Sequence, residues 1–484
     1  MDIVFLHGVL DNEYRVIRTY GPYQAAWYLR DHGYTAQVID FANYFSQQQL
    51  QTLLDKFVTQ DTKVFGWSYM GNLHEALWWQ KLVAEQIIPT LKRKYPNLKI
   101  VIGGAPAYDL SRLMRNSKII DRFFFGFAED TLLAYMDNLC KAAPPVPFEL
   151  LDGNKIIRET SVEKKFNICE SKHRWHKNDC IQPNESLPLE TGRGCIFKCR
   201  FCRFPNIGKT KNDYVRSMEE LKNEMIDNYN NWGVTNYYMM DETFNDTSVK
   251  VETFCKMVSE LPFKINYWAH LRIDLLWANP GHAELLEHSG LASCFFGIES
   301  FNEEASMLIN KGWSAKHGKE FLKKLWNDIW DRRITFRLGM IAGLPPDTKE
   351  SCEEYQKWLI ENEMPDWRWF SLFISRDISG PWTSEFDRNS EKYGFEWILD
   401  NGKPIWKTKY MNEIDARNIA NKLNSEALPH RVLNSWTPIE RASLGYDIAT
   451  DKFTKEIDID KKLLGTQKRD FFNRYYNDLV NINV

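Results

Sequence analysis

Short apolar segments alternate with amphipathic segments along most of this chain, and no other feature constrains its fold as strongly. In the first 141 residues the apolar segments are of strand length and are bounded by Gly, Asp or Ser; they cover residues 3–7, 35–40, 63–67, 99–102 and 122–125. Strands that alternate with helices pair in parallel, because each return to the sheet needs a crossover. Residues 1–141 are therefore predicted to form a doubly wound, Rossmann-like α/β domain with five strands. Ligands of such sheets bind at the carboxyl ends of the strands.

The same alternation returns after residue 187 with longer spacing. Candidate strands there cover residues 187–191, 236–241, 265–272, 293–299, 335–342 and 367–374. Six β/α units predict a partial (β/α)6 barrel over residues 187–375, with catalytic groups where the strands end. Residues 142–186 begin with Ala142-Ala-Pro-Pro-Val-Pro147 and lose the alternation, so they are predicted to be a linker with room for a small hairpin. Residues 376–484 are predicted to form a mostly helical C-terminal extension.

Composition and charge narrow the function. The formal net charge of −3 gives no electrostatic signal for general nucleic-acid binding. No apolar run reaches the roughly 18 residues of a membrane span, and the first residues do not resemble a signal peptide. Nine cysteines, an odd number with three in one cluster, are not typical of a disulfide framework. We therefore expect a cytoplasmic protein with no membrane contact.

Three cysteines with the spacing C-x-x-x-C-x-x-C follow the first predicted barrel strand, where active-site loops belong. They are Cys195, Cys199 and Cys202. Three thiolates can hold a 4Fe–4S cluster and leave one iron open to a substrate or cofactor. The alternative is a structural zinc site, with the fourth ligand from elsewhere in the chain. Zinc usually takes paired C-x-x-C motifs, and the chain has no second one.

On this motif the chain resembles the radical S-adenosylmethionine (SAM) enzymes. The resemblance covers the segment 187–195 that leads into the loop, the three cysteines, and Phe201 at the aromatic position before the last cysteine. It implies that the cysteines bind a 4Fe–4S cluster and that Phe201 packs beside the adenine of SAM. It also implies reductive cleavage of SAM to a deoxyadenosyl radical. A low-potential electron donor, flavodoxin or ferredoxin, is then an expected partner.

Two later strand ends resemble parts of the same family. Asp241 and Glu242 end the second strand and resemble the acidic turn that faces the methionyl amino group. The usual Gly-Gly-Glu is absent, so either residue fits this position. Arg272 ends the third strand, and its guanidinium could bind a carboxylate in a bidentate manner or form a surface ion pair.

The next two strand ends complete the predicted SAM site. Glu299 and Ser300 resemble the family's ribose-binding segment, because a carboxylate followed by a hydroxyl can bind a ribose diol and a carboxylate. Gly339, Ile341 and Gly343 fit the pattern Gly-x-Ile-x-Gly, which lets the backbone approach the adenine. The order and spacing of these segments indicate the family more strongly than any one of them.

The first domain resembles the cobalamin-binding domain that precedes many radical SAM enzymes. The resemblance lies in residues 18–22, 28–34, 65–68, 100–104 and 124–129, and it implies cobalamin contacts from Ser68, Gly103 and Gly104. The Asp-x-His-x-x-Gly motif that supplies an axial histidine in many cobalamin proteins is missing, although several relatives bind cobalamin without one. With cobalamin bound, the implied reaction is methylation of a carbon of an unknown substrate.

Three alternatives stay open at this point. The chain could be a radical SAM enzyme that does not use cobalamin and has a degenerate first domain. It could be a methylthiotransferase acting on transfer RNA, although that family carries three cysteines in its first domain and only Cys140 lies within residues 1–150 here. It could also be a corrinoid- or zinc-binding module without enzymatic activity.

Overall fold

A computed structural model gives the architecture of the chain. It describes residues 1–9, 16–69, 77–104, 118–204, 207–211, 213–311, 314–378, 382–432, 437–451, 455 and 458–483. The chain divides into two compact units. The first comprises Met1–Pro188, Asp227–Gly233 and Lys462–Val484, and the second comprises Leu189–Ile226 and Val234–Lys461.

The first sheet lies in the first unit. Its strands are β1 Ile3–His7, β2 Ala36–Ile39, β3 Val64–Ser68, β4 Lys99–Gly103, β5 Arg122–Phe125, β6 Glu149–Leu151 and β7 Asn154–Arg158. Within the described residues it has seven strands in the order β2-β1-β3-β4-β5-β7-β6, and β1 to β5 pair in parallel with their neighbours. Every residue of β1 and β2 is buried, as expected for parallel strands covered on both faces. The predicted doubly wound α/β fold is confirmed.

The strand number differs from the prediction, because residues 149–158 form a hairpin that joins the sheet. β7 pairs in parallel with β5, and β6 pairs antiparallel with β7. Ile156 and Ile157 of β7 are fully buried, whereas the residues of β6 are mostly exposed. The hairpin was predicted only as a feature of a linker, because its strands are short and carry charged residues that hide the alternation.

Helices surround the first sheet. Those of the first unit are Tyr20–Asp31, Gln47–Phe57, Leu77–Lys81, Ile88–Lys94, Glu129–Lys141 and most of Lys461–Asn481, with a π-helical segment at Leu82–Ile87 and 3-10 turns at Ala42–Tyr44, Glu159–Ser161, Ile168–Glu170 and Lys177–Asp179. Ser46 and Gln49 form a capping box that begins the second helix. The amphipathic pattern of residues 73–94 predicts a helix; the structure describes helical segments from Leu77 onward, and residues 73–76 lie outside the described part of the chain.

The last helix of the chain packs within the first unit. The hydroxyl of Tyr475 accepts a hydrogen bond from the backbone N–H of Asp40 at 3.2 Å, and the ring of Phe471 meets the ring of Phe41 edge to face. The guanidinium of Arg18 lies 4.8 Å from the centre of the Tyr475 ring. The end of the C-terminal extension therefore completes the core of the domain that begins the chain.

The second sheet is built from the strands β8 Ser186–Leu189, β9 Asn236–Met239, β10 Asn266–Leu271, β11 Leu291–Glu299, β12 Thr335–Ala342 and β13 Asp366–Ser371. Its order is β13-β12-β11-β10-β9-β8, so consecutive strands are neighbours, as the six predicted β/α units require. The parallel register places Arg337 of β12 beside Asp366 of β13, and their side chains form a buried ion pair at 2.7 Å.

The helices between and after these strands are Met218–Trp232, Ser248–Ser259, Ile273–Ala278, Gly281–His288, Glu303–Leu308, Ala315–Lys324, Lys349–Glu361, Glu385–Arg388, Glu413–Ala427, Thr437–Ala442 and Ile448–Asp451, with a π-helical segment at Leu325–Ile329 and a 3-10 turn at Glu391–Tyr393. The C-terminal extension also contains an antiparallel hairpin, β14 Glu396–Asp400 and β15 Lys403–Lys407. Among the described residues, no helix combines the length and the apolar character needed to span a bilayer.

Candidate functional site

The three clustered cysteines lie on one loop that follows β8. Cys195, Cys199 and Cys202 are free thiols, the first buried and the others partly exposed. Backbone hydrogen bonds hold the loop: the N–H of Cys202 donates to the carbonyl of Cys199 at 3.0 Å, and the N–H of Lys209 donates to the carbonyl of Cys195 at 3.1 Å. Phe201, the predicted adenine contact, is half-buried in the same turn.

The surroundings of these thiols suit bound thiolates. Burial, and then the neighbouring thiols, raise the pKa of Cys202 to about 11, while the backbone N–H of Phe204 acts in the opposite direction. Burial also raises the pKa of Cys195, against the N–H of Phe197. The loop therefore offers N–H donors to two of the sulfurs, where they would stabilise the negative charge of bound thiolates.

In the described part of the chain, no group of three or more His, Cys, Asp or Glu side chains converges closely enough to hold one metal ion. The ligands of an iron–sulfur cluster stand further apart, because each thiolate binds a different iron.

Arg272 lies against the cysteine loop. Its guanidinium carbon is 3.8 Å from the centre of the Phe197 ring, and Nη1 donates to Sγ of Cys199 at 3.6 Å. Its Nε and Nη2 donate to the carboxylate of Asp274 at 3.0 and 2.6 Å. The bidentate carboxylate contact expected of Arg272 is thus made within the chain. Arg272 therefore places a positive charge next to one of the three sulfurs.

Asp241 belongs to a buried ionic network. Nζ of Lys250 lies 2.6 Å from Asp241 and 3.3 Å from Asp246, with all three side chains almost fully buried. The hydroxyl of Thr191 donates to Asp241 at 2.7 Å, and that of Tyr214 donates to Asp246 at 2.6 Å. Burial lowers the pKa of Lys250, but the two carboxylates outweigh this and raise it. The sequence interpretation missed Lys250, whose only local signal is its position four residues after Asp246.

Glu242 differs from its neighbour Asp241. One carboxylate oxygen accepts a hydrogen bond from the backbone N–H of Gly194 at 3.3 Å, next to Cys195. Burial, and then repulsion from Asp241, raise the pKa of Glu242 to about 8. No ion pair engages it in the part of the chain that the structure describes. A cationic group of a ligand would find here a carboxylate that lacks a counter-charge.

Glu299 ends β11 in a strained conformation. Its φ is +69°, in the left-handed region that non-glycine residues rarely adopt, and the register with β12 shifts at this point. Nζ of Lys311 holds its carboxylate at 2.8 Å, and a side chain at Gly297 would overlap that carboxylate. Ser300 is fully buried, and its hydroxyl accepts the N–H of Asn302 at 2.9 Å.

Packing within the chain explains why glycine stands at one position within β12 and at the position directly after it. A side chain at Gly339 would overlap the ring of Phe295. Gly343 has a φ of +103°, and a side chain there would lie 2.6 Å from the ring of Trp406. Ile341, between them, is almost fully buried. The approach of this backbone to an adenine stays a prediction.

A segment of the C-terminal extension supports the cysteine loop. Arg203, directly after Cys202, donates from Nη2 to the buried carboxylate of Asp387 at 2.6 Å. The same carboxylate accepts the backbone N–H groups of Ser375 at 2.7 Å and Ser384 at 2.6 Å. Because the two residues are 184 positions apart, no local pattern could have indicated this contact.

Replacing Arg203 by methionine is expected to weaken the retention of iron by the cysteine loop. Outer-shell partners of metal ligands are typically worth roughly 10–100-fold in metal affinity, so we expect a loss of about tenfold. The measurement is the iron released to a chelator over time from the anaerobically reconstituted protein.

Arg332 provides the matched control, because it belongs to a solvent-exposed ion pair. Its side chain is 51% exposed, and that of its partner Glu363 is 70% exposed. Arg332→Met should leave iron release unchanged. The Arg203→Met apoprotein should melt at the same temperature as the native apoprotein. Faster iron release would then reflect a weakened cysteine loop and not a lower stability of the whole protein. Equal iron release in both variants would contradict the role of Arg203.

The carboxyl edge of the first sheet holds the residues predicted for cobalamin. The register places Ser68 beside His7 and Gly103, and Nδ1 of His7 donates to the carbonyl of Ser68 at 2.8 Å. Gly104 has a φ of +114°, and a side chain there would overlap the backbone of Tyr69. Nε2 of His7 is buried and, among the described residues, has no hydrogen-bond partner. The edge therefore has an unsatisfied polar atom where ligands of such sheets bind.

Comparisons with known proteins agree with this geometry. Residues 189–359 match the family model of the radical SAM superfamily. The fold is similar to that of the radical SAM methyltransferase TsrM from Kitasatospora setae, solved with tryptophan substrate and a SAM analogue. Its TM-score is 0.68 at 12% identity, covering 99% of this chain and 98% of that one. A second TsrM structure, with cobalamin and a 4Fe–4S cluster, has a TM-score of 0.66 at 13% identity, covering 98% and 99%.

The chain covers a smaller part of two further relatives. The cobalamin-dependent SAM radical enzyme OxsB, with aqua-cobalamin and SAM bound, has a TM-score of 0.56 at 15% identity and covers 97% of this chain and 66% of that one. The threonylcarbamoyladenosine tRNA methylthiotransferase MtaB of Rickettsia prowazekii (strain Madrid E) is 21% identical over 291 residues, 58% of this chain. The chain spans 63% of the length of that relative.

The cysteine loop and most of the six-stranded sheet lie within residues 189–359, so the chain contains a domain of the radical SAM superfamily. It is an enzyme of the class that uses a 4Fe–4S cluster and SAM, and it needs a reductant and a substrate.

Proposed function

We propose that this enzyme methylates a carbon atom of its substrate and that it depends on cobalamin for this reaction. The observation that carries the proposal is the combination, in one chain, of a doubly wound parallel sheet and the cysteine-bearing sheet of a radical SAM enzyme. This combination extends over nearly the whole length of TsrM, which is a methyltransferase. OxsB, with the same fold, is cobalamin-dependent.

Cys195, Cys199 and Cys202 are proposed as the ligands of the cluster. The free thiols, the N–H groups that point to two of the sulfurs, and the contact between Arg272 and Cys199 support this assignment. These cysteines would hold the cluster, which would pass one electron from an external donor to SAM for its reductive cleavage. The residues of the chain hold the loop and place a cation beside one sulfur. A flavodoxin or ferredoxin is proposed as the electron donor.

The SAM site is proposed at the strand ends next to this loop. Glu242 would bind the methionyl amino group, because Asp241 is already engaged by Lys250 whereas Glu242 has no counter-charge among the described residues. Glu299 would bind the ribose from its strained position. The remaining predicted contacts would come from Phe201, Arg272, Ser300, Gly339, Ile341 and Gly343.

Replacing Glu242 by glutamine is expected to weaken the binding of SAM. A hydrogen bond to a charged group is worth about 1.5–3 kcal/mol, so we expect the dissociation constant to rise roughly 10–100-fold. Anaerobic calorimetric titration of the cluster-loaded protein with SAM measures it.

The matched variant is Glu219→Gln, at an exposed glutamate of the helix Met218–Trp232, which should bind SAM like the native protein. If the Glu242→Gln variant and the native protein bind SAM with equal affinity, another residue binds the methionyl amino group of SAM. Iron content should be the same in all three proteins.

Cobalamin is proposed to bind at the carboxyl edge of the first sheet, near Ser68, Gly103 and Gly104. The unsatisfied Nε2 of His7 and the close backbone approach at Gly104 support a ligand at this edge. The cofactor would supply the methyl group that the substrate receives. The location of the enzyme in a reducing cytoplasm stays a prediction from its cysteines.

The proposal is tested by assaying two products together. The reconstituted protein is incubated anaerobically with SAM and a reductant, with and without added hydroxocobalamin, and deoxyadenosine and S-adenosylhomocysteine are quantified. We expect deoxyadenosine in both samples and S-adenosylhomocysteine only with cobalamin, together with about four iron atoms and about one cobalt atom per chain. Deoxyadenosine without S-adenosylhomocysteine, and no corrinoid absorbance after loading, would leave a radical enzyme that does not use cobalamin.

The similarity to MtaB favours a second candidate, thiolation of transfer RNA. The methylthiotransferases that act on transfer RNA are expected to hold a second cluster with cysteines of their first domain. Residues 1–150 contain only one cysteine, Cys140. The same iron analysis separates the two, because two clusters would give about eight iron atoms.

A further inference from the structure

The acidic turn after β9, residues 241–244, runs beside the segment that leads into the cysteine loop. Three successive residues of the turn each make one side-chain hydrogen bond to that segment. The three pairs are Thr191 with Asp241 at 2.7 Å, Gly194 with Glu242 at 3.3 Å, and Cys195 with Thr243 at 3.5 Å. The third pair joins a hydroxyl to the sulfur of a proposed cluster ligand, and the two residues are 48 positions apart in the chain.

Backbone contacts hold the acidic turn in this place. On one side the N–H of Met240 donates to the carbonyl of Leu189 at 2.9 Å, and on the other the N–H of Phe244 donates to the carbonyl of His270 at 2.8 Å. Gly192 allows the close approach, because a Cβ there would lie 3.2 Å from the carboxylate that begins the turn. The backbone therefore keeps the turn and the loop side by side.

The hydroxyl of Thr243 has one proton and two acceptors within reach. It donates to the backbone carbonyl of Glu242 at 2.9 Å, and Sγ of Cys195 is the second neighbour. Thr243 and Cys195 are 6% and 7% exposed, so water has little access to either group. A thiolate can only accept a hydrogen bond, and its charge makes it a stronger acceptor than a neutral carbonyl. With a thiolate at position 195, the hydroxyl proton is therefore drawn to the sulfur.

A hydrogen bond to a ligand sulfur affects how readily an iron–sulfur cluster accepts an electron. Reduction adds negative charge that spreads onto the sulfurs, and a donor beside a sulfur stabilises that charge. Arg272 supplies such a donor to Cys199, where Nη1 lies 3.6 Å from Sγ. Thr243 offers a second side-chain donor, on a different sulfur of the same loop.

We infer that the hydroxyl of Thr243 donates a hydrogen bond to the sulfur of Cys195 when the cluster is bound, and that this bond raises the reduction potential of the cluster. The inference rests on the proposed assignment of the cluster ligands and needs neither cobalamin nor methylation. The cluster gains one electron from the external donor, and the hydroxyl proton stays on Thr243. Thr243 thus acts through Cys195 as a positioning residue for the reduction that precedes the cleavage of SAM.

The test compares Thr243→Val, which removes the hydroxyl, with Thr243→Ser, which keeps it. The full-length, reconstituted proteins are poised anaerobically at stepped potentials without SAM, and the reduced cluster is quantified by electron paramagnetic resonance. The equilibrium constant for reduction should fall about tenfold in Thr243→Val, the effect of one hydrogen bond, which is about 59 mV toward more negative potential for one electron. Thr243→Ser should match the native protein. A potential of Thr243→Val equal to or above the native one, or a serine that does not restore it, would overturn the inference.

Two further variants separate this effect from a general change in structure. Thr335→Val is the matched control, because Thr335 is fully buried at the beginning of β12 and its hydroxyl has no hydrogen-bond partner among the described residues. It should keep the native potential. Thr243→Ala removes the hydroxyl with a smaller side chain and should show the same shift as Thr243→Val. If neither variant binds about four iron atoms per chain, Thr243 is needed to assemble the cluster, and the inference is overturned.

The strength of the reductant gives a second readout. With dithionite, Thr243→Val should form deoxyadenosine from SAM more slowly than the native protein. With the stronger reductant titanium(III) citrate the two proteins should be equal, because the cluster of the variant is then fully reduced. A variant that stays slow with both reductants has lost more than the hydrogen bond, which would overturn the inference.

The potential measurement and the product assay fail independently. The potential is measured without SAM, cobalamin or substrate. If S-adenosylhomocysteine does not form but Thr243→Val has the lower potential, the inference on Thr243 stands and the methylation proposal falls. If both products form and the potentials of Thr243→Val and the native protein are equal, only the inference on Thr243 falls.

Discussion

Replacing Cys199 by alanine is expected to remove the iron–sulfur centre and, with it, the cleavage of SAM. Cys199 is one of three thiols on the loop, and its sulfur accepts the hydrogen bond from Arg272. Loss of an outer-shell partner alone costs roughly 10–100-fold in metal affinity, and loss of a direct ligand should cost more. We therefore expect deoxyadenosine formation to fall by more than about 100-fold. It is measured per chain after anaerobic reconstitution with iron and sulfide.

The chain offers a matched control for this variant. Cys140 is an exposed cysteine of the first unit, and Cys140→Ala should keep the full iron content and the native rate. Cleavage of SAM at the native rate by Cys199→Ala would contradict the assignment of the cluster ligands. So would a native protein that stays colourless after reconstitution under strict anoxia.

Replacing Lys250 by methionine is expected to lower the free energy of unfolding by about 3–5 kcal/mol, the usual cost of removing one partner of a buried ion pair. The Lys250 ammonium lies 2.6 Å from Asp241 and 3.3 Å from Asp246, and the three side chains are at most 1% exposed. Without it, two carboxylates stay buried with no counter-charge. Urea denaturation of the apoprotein, followed by circular dichroism, measures the change.

An exposed pair provides the comparison. Lys222 contacts Glu260 at 2.8 Å, with 30% and 49% of the two side chains exposed, and Lys222→Met should cost far less stability than Lys250→Met. Adding Asp241→Asn and Asp246→Asn to Lys250→Met should recover part of the lost stability, because the uncompensated charges are then removed. A cost for Lys250→Met no larger than that for Lys222→Met would mean that the network does not hold the turn that carries Glu242.

Much of the fold could be predicted because its signals are local. Strands buried on both faces form continuous apolar runs, and the helices between them repeat with a different period, so the order of elements in both sheets can be read from neighbouring residues. The cysteine triplet is likewise contained in eight residues, Cys195 to Cys202. The family match covers the region in which these signals are densest.

The partners of the site residues could not be predicted in the same way. Nothing near Asp241 in the sequence indicates that Lys250 neutralises it while Glu242 stays without a cation. Nothing near Arg203 indicates Asp387. These contacts depend on how strand ends and loops meet in space. The contact between Lys250 and Asp241 leaves Glu242, and not Asp241, available to a ligand.

The amino-acid sequence by itself determined the class of enzyme, the alternation of strands and helices that builds the two sheets, and the three candidate ligands of the cluster. Only the tertiary structure decided that residues 149–158 extend the first sheet and that the helix Lys461–Asn481 packs on Asp40 and Phe41. The physical reason is the range of the interactions. Periodicity and ligand spacing act between near neighbours in the chain, whereas burial, charge compensation and ring packing join residues that the chain separates by up to several hundred positions.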